Sequence, residues 1–421
     1  MRAAVRPVTA VTVLYRSRGL LEDLTETMRA LRPLCETVLV DSCSGDGTAE
    51  AAERAMPWAR LLRAQGNRGF GAANNLALRE VETPFVLLLN PDARVGLEAL
   101  SSMLAFLREH GETAACQPLL RLWDWPAAAA GAGCSMTEYG EGYDLRYMHY
   151  LPEPPQVGRL RVPGVTAAAS LWRSEVLAGC GGFDPAFFMY YEDVDLCMRA
   201  ASRGWRFHLL PRLEARHRSG ATSGREQARL WELESSVLMA RRYLGGGRLP
   251  AKWLRRELRI EAGMLARGHP PLRRWRALAR TRRLRVEPVD TGVEHRSLLR
   301  SRPTHLPLPR GSWRGPLSAD GKLAAGPGWE RAGGRTTVPG QWAGLLLPEG
   351  TGGEVGLAMS SRASYLSGVY GAGNDVLGRF SLPGGRTDLR LRVPRGVRRV
   401  HLALDGTAEG GGLLLEDARI L

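Results

Sequence analysis

Over its first 220 residues the chain alternates short apolar runs with stretches of helical period. Val8–Leu14, Thr37–Val40, Ala59–Ala64 and Phe85–Leu89 are the apolar runs, which is how strands buried on both faces read. Between and after them, Leu20–Leu31, Gly47–Ala55, Gly71–Val81 and Leu97–His110 carry apolar residues at helical spacing. The alternation predicts an α/β unit with a largely parallel sheet covered on both faces. Ligands on such sheets bind beyond the carboxyl ends of the strands, so the polar residues just after each run are where chemistry is expected. From Trp123 to Pro163 the periodicity fails, and alanine, glycine and proline mix with Tyr139, Tyr143, Tyr147, His149 and Tyr150. A long segment of this kind reads as a binding loop or lid. Helical spacing returns in Gln227–Leu244 and Lys252–Ala266, separated by three glycines and Pro250. Pro303–Pro316 reads as a linker. Beyond it, alternating stretches such as Leu389–Val393 and Arg399–Leu404, broken by glycine-rich turns, predict an antiparallel β-sandwich. The expected organisation is an α/β domain over 1–224, a helical segment over 225–302 and a β-sandwich accessory domain over 303–421.

Length and composition fit this division. A chain of 421 residues is too long for one ordinary core. No apolar stretch approaches the roughly 20 residues that span a bilayer. Val8–Tyr15 is too short for a signal-peptide core and reads better as a first strand. The six cysteines form no C-x-x-C pair, which argues against a disulfide framework or zinc site and suits a reducing cytosol. Charge changes the picture more. The net charge is +15, and Arg225–Arg310 alone holds 21 lysines and arginines against 8 acidic residues. Such a stretch can hold nucleic acid, anionic lipid headgroups or a phosphorylated substrate, or simply form a solvated helical face.

Four clusters carry candidate chemistry. Val40-Asp41-Ser42-Cys43-Ser44-Gly45-Asp46-Gly47-Thr48 ends the second strand. A carboxylate there can bond a base or ribose, although Asp46 and Thr48 also suit a helix N-cap. Gln65-Gly66-Asn67-Arg68-Gly69-Phe70-Gly71-Ala72-Ala73-Asn74-Asn75 sets spaced glycines before a helix, whose exposed amides favour a diphosphate. Leu89-Asn90-Pro91-Asp92 delivers a carboxylate to the sheet edge. With diphosphate oxygens it would suit Mg²⁺ or Mn²⁺; the alternative is a plain Asn-Pro-Asp turn. Phe187 to Arg199 places Glu192, Asp193 and Asp195 within four residues beside aromatics. Acidic residues are favoured in a first helical turn, but three together exceed what capping needs, and one could take a proton from an acceptor hydroxyl. His217 then follows another short strand, where a metal or phosphate contact is expected if it is not structural.

In this order the clusters resemble glycosyltransferase family 2, inverting enzymes on the GT-A fold, and most closely its bacterial rhamnosyltransferase-like branch. The match covers roughly residues 8 to 245. Asp41, with Ser44 and Asp46, corresponds to the family's nucleotide segment, and the resemblance implies a base or ribose contact for Asp41. Asn67, Arg68, Gly69 and Asn74 correspond to the loop before the third helix. Asn90 and Asp92 stand where the family places its metal-binding Asp-x-Asp, with Asn90 replacing the first Asp. Glu192 and Asp193 match the acceptor-side segment, and His217-x-x-Gly220 the late histidine motif. The resemblance implies Asp193 as general base with Glu192 as its nearest rival, Asp92 as metal ligand and His217 at the metal or diphosphate. It further implies a dTDP- or UDP-sugar donor, a divalent metal and a single displacement with inversion. Transfer would be of rhamnose or another hexose to a glycan, lipid-linked or small-molecule hydroxyl, as in cell-envelope polysaccharide synthesis.

Two other classes compete. A sugar nucleotidyltransferase should show a glycine-rich basic loop after the first strand, where Tyr15-Arg16-Ser17-Arg18-Gly19 offers a single glycine. A carbohydrate-binding or nucleic-acid-binding protein would explain the basic helices but has no need of carboxylates at converging strand ends, and no nucleic-acid partner is expected. The basic helices suit work at an anionic inner-membrane face, with Trp253, Trp275 and Leu278 between arginines at the interface. The expected location is cytoplasmic, peripheral to that membrane. The β-domain suits carbohydrate binding or homo-oligomer formation equally well.

Overall fold

The computed structural model describes residues 6–123, 126, 129–147, 157–218, 225–265, 278–281, 284 and 286–290, together with eight strands between Ala324 and Ile420. By contact the chain divides into two compact units. The first comprises 1–121, 129–147 and 154–305, and the second the remainder.

In the first unit, strands β1 (Val8–Leu14), β2 (Cys35–Asp41), β3 (Arg60–Arg63) and β4 (Phe85–Leu89) pair in parallel in the order β3-β2-β1-β4. Every residue of β1 and β4 is buried, as their unbroken apolar runs require. The two buried threonines of β1 are both satisfied: the Thr12 hydroxyl donates to the Leu89 carbonyl at 2.8 Å, and the Thr9 hydroxyl shares a hydrogen bond with that of Thr83 at 2.7 Å. Helices α1 (Leu21–Leu31), α2 (Thr48–Ala55), α3 (Phe70–Leu78) and α4 (Leu97–Glu109) provide the connections.

Beyond β4 the sheet departs from the expected parallel pattern. β5 (Ala93–Val95) is a short edge piece, and β6 (Thr113–Leu122) leads to three short strands, β7 (Ala129–Gly131), β8 (Cys134–Met136) and β9 (Gly142–Asp144). β10 (Leu160–Val162) and β11 (Ala169–Arg173) follow; helices α5 (Ser174–Gly179) and α6 (Glu192–Ala201) then lead to β12 (Arg206–His217). β11 inserts between β4 and β6 antiparallel to both, and the order continues to β12 and β10. The antiparallel β11 brings its start, not its end, to the carboxyl end of β4, so Thr166–Ala168 reach the ligand edge.

The segment read as a lid is partly regular: β8 and β9 form an antiparallel pair with Cys134 opposite Asp144. His149, Tyr150 and 151–156 lie outside the described residues, as do Trp275, the Pro303–Pro316 linker and Gly220 of the late histidine motif.

The helical stretch after 224 packs within the first unit. It comprises α7 (Arg225–Met239), a wider turn over Ala240–Leu244, and α8 (Ala251–Leu265). Ser235 donates to the Met189 carbonyl at 3.0 Å, and Trp231 packs against Phe188 with ring centroids 4.8 Å apart. Arg242 binds Asp195 and Asp184, each at 2.5 Å. Trp253 is 1% exposed and packs on Val237 and Ala240, with Leu278 against the same cluster. The expected interface role of these two residues is therefore corrected: they seal helices to one another. The outward positions of α8 are instead Leu254, Arg255, Leu258 and Arg259, with Leu258 60% exposed.

The second unit is antiparallel, as its alternating sequence predicts. Its centre is Gly353–Ala372, paired with Asp375–Val393 along its length. Toward one end Gly353–Ala372 also pairs with Leu413–Ile420 and toward the other with Arg399–Asp405, with Val355, Leu357, Leu389 and Leu391 buried.

Candidate active site

A cavity of about 560 Å³ opens where the ends of β1, β2, β4 and β12 meet the starts of β11 and α6. This is the edge at which the strand-end rule places ligands. Of the residues expected from sequence, Asn67, Gly69, Asn90, Asp92, Glu192, Asp193 and His217 line it.

On the β2 side, Asp41 is buried just behind the lining residue Ser42. The Ser44 amide and hydroxyl donate to its two oxygens at 3.2 and 2.5 Å. The Asn67 side-chain oxygen accepts from the Gly69 amide at 3.0 Å and from the Ser42 hydroxyl at 3.4 Å, joining the two loops. Gly69 has φ +94°, and a Cβ there would overlap the Phe188 carbonyl, to which the Phe70 amide donates at 3.0 Å. Only glycine permits both the backbone and the approach.

Three expected ligand residues are not among those lining the cavity. Asp46 is exposed and accepts from the Thr48 amide and hydroxyl at 3.1 and 2.6 Å, which holds its pKa below the usual range. It caps α2. Asn74 is 2% exposed and its amide donates to the Phe70 carbonyl at 3.0 Å, one turn back in α3. Arg68 is exposed on the loop and does not line the cavity.

Asp92 and His217 meet because β5 pairs with β12. Ala93 lies opposite His217, and the Arg218 amide donates to the Asp92 carbonyl at 3.0 Å. This puts His217 Nε2 3.2 Å from Asp92 Oδ1. Burial disfavours the imidazolium, but the hydrogen bond and charge of Asp92, with Asp144 further off, outweigh it and raise the His217 pKa. Asn90 Oδ1 is buried on the same rim with no hydrogen-bond partner among the described residues.

Opposite stands the start of α6. Tyr190 and Tyr191 precede it with φ +68° and +66°, two consecutive non-glycine residues in the left-handed region. Such strain is held only where its surroundings impose it and is common at functional sites. It turns the chain so that Glu192 and Asp193 begin the helix on the cavity wall. The Ala167 and Val194 amides donate to Asp193 at 3.1 and 2.8 Å. Burial nonetheless raises its pKa against those bonds. Glu192 is 6% exposed, and its Oε2 has no hydrogen-bond partner among the described residues. Burial, then the charges of Asp193 and Asp195, push it up to about 8.

Further residues join them, among them two tyrosines of the segment read from sequence as a binding loop or lid. Tyr15, Ser17 and Thr166 line the cavity, and so do Tyr143, Asp144 and Tyr147 from β9 and the turn after it. Trp231 and Glu232 of α7 complete the wall. Asp144 opens onto the cavity yet is hemmed in by protein, and that desolvation together with the Asp193 charge raises it to about 7. The tyrosine-rich composition of 123–163 was the only sequence signal for these residues.

The order of strand ends, the glycine loop and the facing carboxylate and histidine together form the kind of ligand site that α/β domains carry at the carboxyl edge of the sheet. Residues 9–121 match the model of Glycosyl transferase family 2. Over 313 residues the chain is 27% identical to the N-acetylglucosaminyl-diphospho-decaprenol L-rhamnosyltransferase of Mycobacterium tuberculosis, covering 68% of this chain and 98% of that one. It is 26% identical over 166 residues to rhamnosyltransferase WbbL of Escherichia coli, covering 36% and 61% of the two chains. A solved mannosyltransferase from Pyrobaculum calidifontis, in complex with GDP-Man and Mn²⁺, superposes with a TM-score of 0.42 at 18% identity, over 70% of this chain and 79% of that one. Residues 9–121 thus resemble glycosyltransferase family 2, the chain is similar to rhamnosyltransferases, and it is a hexosyltransferase.

Proposed function

We propose that this enzyme transfers a hexose, rhamnose being the first candidate, from a dTDP- or UDP-sugar to a hydroxyl of a lipid-linked glycan, with Asp193 as general base. The observation that carries this reading is the cavity itself. One buried wall presents a carboxylate of raised pKa on the first turn of a helix, and the other presents the Asp92–His217 pair. The Mycobacterium tuberculosis relative, similar over nearly its whole length, is named for a lipid-diphosphate acceptor and a rhamnosyl group.

The Ser42 and Asn67–Gly69 loops, with Asp41 and Ser44 behind them, frame the nucleoside end, and the α3 N-terminus favours the diphosphate. A divalent cation fits the rim, although among the described residues no three His, Cys, Asp or Glu side chains converge into a metal-holding cluster. Asp92 and the unsatisfied Asn90 Oδ1 are hard oxygen donors, and His217 adds a nitrogen. Mg²⁺ and Mn²⁺ accept few protein ligands when diphosphate oxygens and water complete the shell. When bound, such an ion would offset the charge that develops on the departing nucleoside diphosphate.

Asp193 would take the proton of the acceptor hydroxyl as its oxygen attacks the anomeric carbon. The bond from that carbon to the diphosphate oxygen breaks in the same displacement, with inversion. The Ala167 and Val194 amides hold the carboxylate in position. Acceptors carried on lipid would bring the enzyme to a membrane surface, and the α8 face bearing Leu254, Arg255, Leu258 and Arg259 suits an anionic one. Among the described residues no helix is long and apolar enough to cross a membrane.

The test is nucleotide release by purified protein from dTDP-rhamnose and common UDP-sugars, with Mg²⁺, Mn²⁺ or chelator. Metal-dependent release from one donor, lost in Asp193→Asn, is the expected outcome. Release undiminished in Asp193→Asn would remove the base assignment.

A further inference from the structure

The cavity has a wall that neither the donor nor the base accounts for. It consists of Tyr143, Asp144 and Tyr147 from β9 and its following turn, with Trp231 and Glu232 from α7. All five lie outside the segment 9–121 that matches the family. Tyr143 and Tyr147 are 41% and 42% exposed, among the most exposed large hydrophobic side chains described, and both open onto this one cavity. Aromatic faces left open in a concave site are costly to solvate and suit a flat apolar partner with polar edges. A pyranose ring has that character: its axial C–H face is apolar and its rim carries hydroxyls.

Charge narrows the choice. Asp144, Glu232, Glu192 and Asp193 all lie along this side, and among the described residues the single basic one lining the cavity is His217, already paired with Asp92. A phosphate against this wall would meet acidic side chains and no cation opposite it, whereas a sugar hydroxyl can donate to or accept from carboxyl groups in either protonation state. The wall is also held in place. Arg256 of α8 binds Glu141 at 2.5 Å, and Lys252 binds Glu138. Both cations sit over the Tyr139 ring, at 4.6 and 5.0 Å from its centroid. A Cβ on Gly140 would overlap the α7 backbone at Ser236 and Ala240, and one on Gly142 would overlap the Tyr191 ring. The β8–β9 hairpin is thus clamped between α8, α7 and the strained tyrosine turn, a preorganised surface and not a loose flap.

We propose that Tyr143, Asp144, Tyr147 and Trp231 form a subsite for a neutral pyranose of the acceptor. The sugar ring lies against the aromatic side chains, a ring hydroxyl donates to Asp144, and any anionic group of the acceptor stays away from this wall. The proposal rests on the transferase reading, since it places the sugar beside Asp193.

The experiment titrates full-length protein, in the presence of dTDP or UDP and Mn²⁺, with octyl glycosides of N-acetylglucosamine, glucose, galactose and mannose. N-acetylglucosamine 1-phosphate serves as the charged comparison. Binding is read by saturation-transfer NMR and tryptophan fluorescence, and nucleotide affinity by calorimetry. At least one neutral glycoside is expected to bind, and the 1-phosphate to bind more weakly. Tyr143→Ala, Trp231→Ala and Asp144→Asn are each expected to weaken the glycoside by about tenfold while leaving nucleotide affinity unchanged. Tyr143→Phe, which keeps the ring, should bind like the parent and so separates stacking from folding. No binding by any neutral glycoside, tighter binding of the 1-phosphate, or equal loss of nucleotide affinity in the variants would each overturn the subsite. Donor cleavage in the parent protein is measured alongside: if it persists when the glycosides fail, the subsite falls and the transferase reading stands.

Discussion

Glu192 and Asp193 are neighbours on one helical turn, yet their surroundings assign them different work. Asp193 accepts two backbone amides and faces the cavity, whereas Glu192 is buried with one oxygen unpartnered among the described residues. Asp193→Asn is expected to lower transfer by about 10²–10⁴-fold with donor affinity retained, the usual loss for a general base. Glu192→Gln should keep most activity; the reverse result, read by nucleotide release, would exchange their roles. Burial raises the Asp193 pKa, so activity should be lost as pH falls through a value above the ordinary 3.8, giving an acid limb in kcat/KM that is displaced upward. Glu192 makes a separate prediction about stability. Its folded pKa of about 8 lies above the ordinary 4.5 of a glutamate, so at low pH both folded and unfolded states hold the proton and nothing is lost. Between those values only the unfolded state releases it, so the carboxyl destabilises the fold increasingly as pH rises, by a few kcal/mol at most once pH exceeds the folded value. Thermal melts of Glu192→Gln against the parent should therefore diverge from pH 5 to pH 8, the variant melting higher at the alkaline end. Parallel melting curves across that range would show that Glu192 does not titrate as a buried acid.

At the scale of elements, what sequence revealed and what it hid have physical causes. β1 and β4 were legible residue for residue because a strand buried on both faces takes apolar side chains, with polar ones such as Thr9 and Thr12 only where a hydrogen bond satisfies them. The Asn67–Asn75 loop was legible because close approach demands glycine, and Gly69→Ala tests this. It forces a Cβ into φ +94° and into the Phe188 carbonyl, with an expected cost of at least about 1–3 kcal/mol and weaker nucleotide binding by calorimetry. Asp46 and Asn74 lie away from the cavity lining and bond their own loop and helix; turn and back-bonding residues share their chemistry with ligand residues. Trp231 and Asp144 stayed hidden because nothing local marks an aromatic or a carboxylate that reaches its site through tertiary packing. Trp253 was misread for a related reason: apolar positions at helical spacing show that a stripe is buried, not which neighbour buries it. With Trp253 inside, the outward Leu254 and Leu258 between Arg255 and Arg259 become the membrane-facing candidates. Leu254→Asp/Leu258→Asp is expected to reduce co-sedimentation with phosphatidylglycerol vesicles by at least about tenfold, since each leucine would otherwise bury its side chain in the interface. Equal pelleting of variant and parent, or none by the parent, would remove α8 from membrane docking.

On the scale of the whole molecule, the site is built by one unit and owes its acceptor wall to a segment outside the family match. Every described residue lining the cavity belongs to the unit that ends at 305, including Trp231 and Glu232 from the helical stretch that composition alone sets apart. The basic segment is thus part of the transferase architecture: α7 supplies cavity wall, and α8 clamps the β8–β9 hairpin through Arg256 and Lys252. Two truncations separate the consequences. Ending the chain after His305 removes the strands from Ala324 onward and leaves the cavity lining whole, so donor affinity and nucleotide release should stay within about twofold of the parent, the scatter expected for a distant change. Ending it after Arg218 keeps the whole family-matched segment but deletes α7 and α8. It should expose Phe188 and the hairpin and lose measurable transfer even where the nucleotide still binds. Loss of nucleotide affinity in the longer truncation product would mean that the antiparallel unit supports the site in a way the cavity lining does not reveal. Full transfer by the shorter one would show that α7 and its tryptophan are dispensable, and would overturn the acceptor subsite with them.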